Sequence, residues 1–152
     1  MIRKPKVLFF STGGAERSEM AGGFLEKLTE GDLIAESTAV KSTNVSPLAV
    51  EVMKEVGIDI TQHPAKPIAQ SFREHFACVV TLADESKERS PVWPFTSNLL
   101  HWNFPDPLMT GGSPEQQKEA FRRVRDEIQR NVRDFANEVA PRLGRVPVTQ
   151  TR

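Results

Sequence analysis

Apolar positions in this chain fall into short unbroken runs that alternate with stretches where they recur every three or four residues. Residues 6–10, Lys-Val-Leu-Phe-Phe, form the first run and stop at Ser-Thr-Gly-Gly, a pattern that suits a strand buried on both faces. From Ser18, the spacing of Met20, Ala21, Phe24, Leu25 and Leu28 predicts a helix with one apolar stripe, stopped near Gly31. Leu33 to Val40 reads as a weaker second strand, because Glu36, Ser37 and Thr38 interrupt it. Ser46-Pro47 then offers a cap and a first-turn proline to a second helix, with Leu48, Val52, Met53 and Val56 on one face and Gly57 as the stop. Residues 61–71 carry Pro64 and Pro67 and are expected to wrap the surface. Phe76 to Leu82 and Leu99 to Phe104 read as further strands, separated by a polar, proline-broken loop over 84–97. Ser113-Pro114 opens the longest helix, where Phe121, Val124, Ile128, Val132, Phe135 and Val139 share a face and Pro141 ends the run. Its many charged residues are expected on the opposite, solvated face.

Strands that alternate with helices imply right-handed crossovers and a parallel sheet. The expected fold is an α/β three-layer sandwich of about four parallel strands with helices on both faces. One domain is expected over 1–143, followed by a frayed tail over 144–152. In such sheets ligands sit at the carboxyl ends of the strands, near the point where strand order reverses, which directs attention to the turn after the first strand.

Composition narrows the partners. The chain has 152 residues, 38% of them hydrophobic, with 20 Lys and Arg against 20 Asp and Glu. It is too apolar for a disordered chain, and its charge balance leaves no footprint for nucleic acid or anionic lipid. No apolar run reaches the roughly 18 residues of a membrane span, and the start has no signal-like segment, so a cytoplasmic protein is expected. The single cysteine, Cys78, lies inside an apolar run, which excludes an internal disulfide or CxxC chemistry and marks it as a core residue. His63, His75 and His101 are dispersed with no ligand spacing among them, so no metal site and no cofactor are expected.

The loop Ser11-Thr12-Gly13-Gly14-Ala15-Glu16-Arg17-Ser18 joins the first strand to the first helix, where backbone N–H groups can converge on an anion and Arg17 adds a charged fork. It has neither the Gly-Lys-Ser/Thr ending of a Walker loop nor a Gly-x-Gly-x-x-Gly fingerprint, so nucleotide binding has no support here.

In its frame of strand, x5-Arg-Ser loop and helix, the chain resembles the low-molecular-weight protein tyrosine phosphatases and the thioredoxin-coupled arsenate reductases. Ser11 falls at the nucleophilic cysteine, Arg17 at the oxyanion-binding arginine, and Ser18 at the hydroxyl that supports the thiolate. His101-Trp102-Asn103-Phe104-Pro105-Asp106-Pro107 resembles the reductase acid loop, with Asp106 at the proton donor. Residues 121–128 resemble the last helix, so the likeness spans roughly 6 to 140. Where the phosphatases place aromatic residues after the acid loop, this chain has Leu108-Met109-Thr110, which points to a small tetrahedral oxyanion rather than phosphotyrosine. Leu108 and Met109 can equally be loop anchors packed on the core, and His101 and Trp102 braces of the acid loop. Trp93 and Phe95 read as loop packing.

The resemblance breaks where the chemistry needs sulfur. A hydroxyl at 11 cannot act as a low-pKa thiolate and needs a general base. Loss of the nucleophile from an established enzyme has cost about 10⁶ in turnover. Ala83 and Ser90 stand where the reductases keep two relay cysteines, so coupling to thioredoxin is not expected. Gly14 replaces a bracing asparagine. Gly22 replaces a glutamate associated with a potassium site. Glu16 could pair with Arg17 or face solvent, occupy the anion nest, or act as a base toward Ser11. The reading that follows is a protein that keeps an oxyanion-binding loop (Thr12, Gly13, Gly14, Ala15, Glu16, Arg17 and Ser18) for phosphate, arsenate, sulfate or a phosphorylated partner, without cysteine catalysis. The alternatives are a slow phosphoester hydrolase using Ser11 or an activated water, with Arg17 and Asp106, and an engineered Cys-to-Ser trap. Losses at every sulfur position favour natural divergence over the trap.

Overall fold

The computed structural model describes residues 4–89, 93 and 98–143. Strand β1 (Lys6–Ser11) leads into helix α1 (Glu16–Leu28), followed by β2 (Ile34–Ala39) and α2 (Pro47–Lys54). A 3-10 turn at Ile60–Gln62 and a short helix α3 (Ile68–Ser71) precede β3 (Cys78–Ala83), β4 (Leu99–Asn103) and the long α4 (Pro114–Glu138). The four strands form one sheet in the order β2-β1-β3-β4, and every pairing is parallel. This is the α/β fold expected from the sequence. Residues 144–152, expected to fray, lie outside the described residues, as do Phe95 and the relay position Ser90.

The caps explain the helix boundaries. Ser46 accepts the Leu48 N–H at 3.2 Å ahead of Pro47, and Ser113 forms a reciprocal capping box with Gln116 ahead of Pro114. Gly31 and Gly57 take φ of 80° and 81° just beyond α1 and α2, a conformation that favours glycine. Helix α1 starts at Glu16, two residues before the stripe begins, and its Ala15 cap offers no side-chain hydrogen bond. The segment 61–71 differs from a plain surface wrap, since Pro67 starts the single turn of α3.

Alternation along the buried strands divides the core. Val7, Phe9, Cys78, Val80 and Leu82 face a large cluster with α1, α2 and α4, while Leu8, Phe10 and Val79 face Phe76 and Trp93, with Ile68 of α3 packed alongside. Trp93 is 3% exposed, stacks on Phe72 at 4.7 Å and meets Phe10 edge-on, so it is loop packing as expected. Cys78 is buried, and desolvation pushes its thiol up to about 11, which keeps it an inert core residue. One expectation fails on α4. Arg125 is buried rather than solvated, donating at 2.9 Å to the Val52 carbonyl and at 2.8 Å to Glu55, and it ties α4 to α2. An arginine can reach across a helix interface where a shorter side chain would leave the end carbonyls of α2 unmet.

Strand order reverses between β1 and β3. The chain leaves β1 toward β2 on one side, and leaves β3 toward β4 on the other. The loops after β1 and β3 therefore face each other across the crevice at the carboxyl end of the sheet.

Candidate functional site

The loop after β1 is fastened on both sides. The Thr12 N–H donates to the Leu82 carbonyl at 3.2 Å, and the carbonyls of Ser11 and Gly13 accept from Val40 and Lys41 at 3.0 and 3.1 Å. Ser11 is fully buried, and its Oγ accepts the Ser18 N–H at 2.8 Å, so the hydroxyl serves one of the orphan donors in the first turn of α1. The Ser18 hydroxyl does not support Ser11. It donates to the Ala15 carbonyl at 3.1 Å and receives the Ser37 hydroxyl at 2.7 Å, because its place on α1 turns it toward β2.

Arg17 is the largest fully buried side chain, 1% exposed, and its guanidinium is held from three directions. Nη1 donates to the Phe104 carbonyl at 3.1 Å and to Glu88 Oε1 at 2.9 Å, Nη2 donates to Glu88 Oε2 at 3.2 Å, and Nη2 lies 3.5 Å from Asp106 Oδ2. Asp106 Oδ1 caps the turn after it by accepting the Leu108 N–H at 3.0 Å, and Oδ2 faces Arg17. A side chain at Gly13 would fall 2.9 Å from Asp106 Oδ2 and 3.2 Å from Arg17 Nη2, so the glycine lets the loop approach both groups. Arg17, Asp106 and the loop backbone at Gly13 thus meet at the carboxyl end of the sheet.

Glu88 was not singled out from the sequence. It comes from the loop after β3, and the reversal of strand order brings it opposite Arg17. It also accepts the Asp84 N–H at 2.6 Å, while its own N–H donates to the Asp84 carbonyl at 2.7 Å. Burial opposes its ionisation, but Arg17 and the Asp84 N–H outweigh that and hold the carboxyl down at about 2. The signal available in advance was topological: an acidic residue in the loop that must oppose the arginine.

Glu16 neither pairs with Arg17 nor faces solvent, contrary to the first of its expected placements. It is 4% exposed, and its carboxylate accepts the Ser46 N–H at 2.7 Å and its own N–H. Burial raises its pKa against those two bonds. The carboxylate lies over Gly14, where a Cβ would fall 2.5 Å from Oε1, so glycine at 14 is what lets Glu16 fold back. No described imidazole or carboxylate hydrogen bonds Ser11. His101 instead meets Thr81 Oγ1 at 2.6 Å and Glu85 at 2.6 Å, bracing the loop that carries Glu88, and Trp102 packs on Phe9, Phe104 and Phe135. Leu108 and Met109 are 46% and 72% exposed, so they are not anchors packed on the core.

This geometry, an arginine on the first turn of α1 facing an aspartate beyond β4, has a sequence counterpart. The profile of the low molecular weight phosphotyrosine protein phosphatase family matches residues 6–144. The chain belongs to that family. Within it the chain is similar to an arsenate reductase of Halalkalibacterium halodurans, 35% identical over 135 residues that cover 89% of this chain and 97% of the relative. Arsenate reductase 2 of Staphylococcus epidermidis is 36% identical over 132 residues, covering 87% and 96%. Among solved structures, an arsenate reductase in the phosphate binding state superposes with a TM-score of 0.73 at 29% identity, covering 89% of this chain and 98% of that one.

Proposed function

We propose that this family member binds a small tetrahedral oxyanion at the loop 11–17 and performs no cysteine-based turnover. The observation that supports this best is the buried Arg17 fork, oriented by Phe104 and Glu88 at the mouth of a loop that opens a helix. Position 11 carries a hydroxyl that accepts from Ser18 and has no described base to activate it. The chain's one thiol lies buried in β3. The Thr12, Glu16 and Ser18 N–H groups are engaged within the protein. The anion-binding set therefore narrows to residues 13–15 and Arg17. Glu88 occupies the fork while the site is empty and gives way to the anion, so affinity reflects that exchange. The likeness to an arsenate reductase in the phosphate binding state supports phosphate and arsenate as the first ligands to try.

Calorimetric titration with phosphate and with arsenate should give saturable heats that fall at least tenfold in affinity in Arg17→Lys, which keeps charge but loses the planar fork. No heat with either anion would defeat the proposal. Turnover of an aryl phosphate that survives repurification and disappears in Asp106→Asn would replace binding with hydrolysis.

A further inference from the structure

Two residues along α1 from Arg17, and so roughly 200° around the helix, Glu19 points to a different part of the molecule. It is 4% exposed and lines a cavity of about 690 Å³ between α1, β2 and the segment 58–67, a volume within the range of small-molecule sites. Its Oε1 is buried and accepts no hydrogen bond, an arrangement that leaves a strong acceptor unmet. Lys66 of the cavity wall is already paired, lying 3.2 Å from Glu36 and 3.6 Å from Glu74, and the His63 ring lies 3.6 Å from Glu26. With Asp59 also in the wall, carboxylates outnumber the basic side chains. Much of the remaining lining is apolar, including Ile34, Ile58 and Pro64, which offers surface to a hydrocarbon body but no oxygen shell to a bare ion. Among the described residues no group of three His, Cys, Asp or Glu is placed to hold a metal.

We propose that this cavity is a binding site for a primary organic ammonium with an apolar body, the ammonium donating to the Glu19 carboxylate and the body lying against Ile34, Ile58 and Pro64. It is separate from the oxyanion loop and does not depend on that reading. Burial, with the Glu26 charge second, raises the Glu19 carboxyl to about 8, so near pH 7 it is mostly protonated, and an arriving cation must displace that proton.

The test is calorimetry at pH 7 in two buffers of different ionisation enthalpy. The probe is 2-phenylethylammonium, compared with 2-phenylethanol and with potassium chloride. The expected result is at least tenfold tighter binding of the ammonium than of the alcohol, with about one proton released per molecule bound. Glu19→Gln matches the shape of the neutral acid; it should release no proton and bind the two organic probes alike. Gly22→Leu should abolish binding, since a Cβ there makes ordinary 3.5 Å contact with Ala35 and the longer chain fills the cavity. Absence of ammonium binding, equal affinity for the alcohol, the same proton release in Glu19→Gln, full binding to a folded Gly22→Leu, or the same proton release with potassium chloride alone would each overturn the proposal.

Discussion

Glu88 and Glu19 are both carboxyls drawn out of water, one against the Arg17 fork and one in the wall of the cavity on the far side of α1. Burial penalises the charged form of each. Glu88 meets a buried cation in bidentate geometry plus the Asp84 N–H and is held down at about 2, while Glu19 meets no cation and is pushed up to about 8. The same side chain is therefore a fixed anion at one site and mostly a neutral acid at the other near pH 7. Two things separate them: Glu19 is the more deeply buried, and only Glu88 faces a cation and a backbone donor that offset the loss of water.

Breaking the paired side should produce the largest effect. Arg17→Met leaves Glu88 and Asp106 facing each other without their shared cation, and loss of one partner from a buried pair costs about 3–5 kcal/mol. Urea unfolding at pH 7 measures this. Adding Glu88→Gln to Arg17→Met should recover about 1 kcal/mol or more, because the stranded charge is then gone. A cost below about 1 kcal/mol for Arg17→Met alone would show that the guanidinium is not the centre of the site.

The unpaired side predicts the next effect, with the opposite pH dependence. An unfolded glutamate loses its proton near 4.5 and folded Glu19 keeps it until about 8, so between those values the folded state holds more protons and stability falls as pH rises. The fall should amount to up to about 5 kcal/mol and level off above pH 8. In Glu19→Gln that component of the unfolding profile should vanish. For Glu88 the sign reverses. Its folded carboxyl titrates at about 2, so its stabilisation is complete above 4.5 and is lost as pH falls toward 2. Glu88→Gln should cost about 1–2 kcal/mol at pH 7 and erase that acid limb. It should also tighten phosphate binding about tenfold, since the anion no longer competes for the fork. Unchanged phosphate affinity in Glu88→Gln would show that the carboxylate does not stand in the anion's way.

The sequence was most informative where local chemistry decides structure and least where topology does. The apolar runs and caps located β1, α2 and α4 closely, because Gly13, Ser46-Pro47 and Ser113-Pro114 act on their immediate neighbours. Arg17 stood out from the loop pattern, while Ser11 and Asp106 were singled out only through the family resemblance of that loop and of the Asp-Pro segment. Glu88 was not, because its pairing depends on β3 lying beside β1 with its loop turned the other way. Glu16 was misplaced for a related reason: its acceptor role requires the Ser46 N–H, thirty residues away, which no local spacing reveals. The unmet oxygen of Glu19 depends in the same way on segment 58–67 closing over α1, where Gly23 allows Ile58 within 2.9 Å of a Cβ position.

The smallest expected effect concerns a thiol placed in this nest. Ser11→Cys puts sulfur where Oγ now accepts the Ser18 N–H, at the start of α1 in the loop that ends in Arg17, and each of these features favours thiolate. Glu88 and Asp106 already neutralise Arg17 and act against it. The new thiol should therefore ionise less than one unit below the ordinary value of about 8.5, rather than several units as in strongly activated cysteines. Ultraviolet thiolate absorbance across pH 5–10 reports this directly, since Cys78, held at about 11, stays almost wholly protonated over that range. Adding Glu88→Gln should lower the value further by releasing the arginine. If the single Ser11→Cys variant already titrates near pH 5, the carboxylates do not screen the fork and the contrast between the two glutamates loses its bearing on the anion site. Thioredoxin-coupled arsenate reduction should stay absent in either variant, because Ala83 still offers no sulfur to carry a disulfide away.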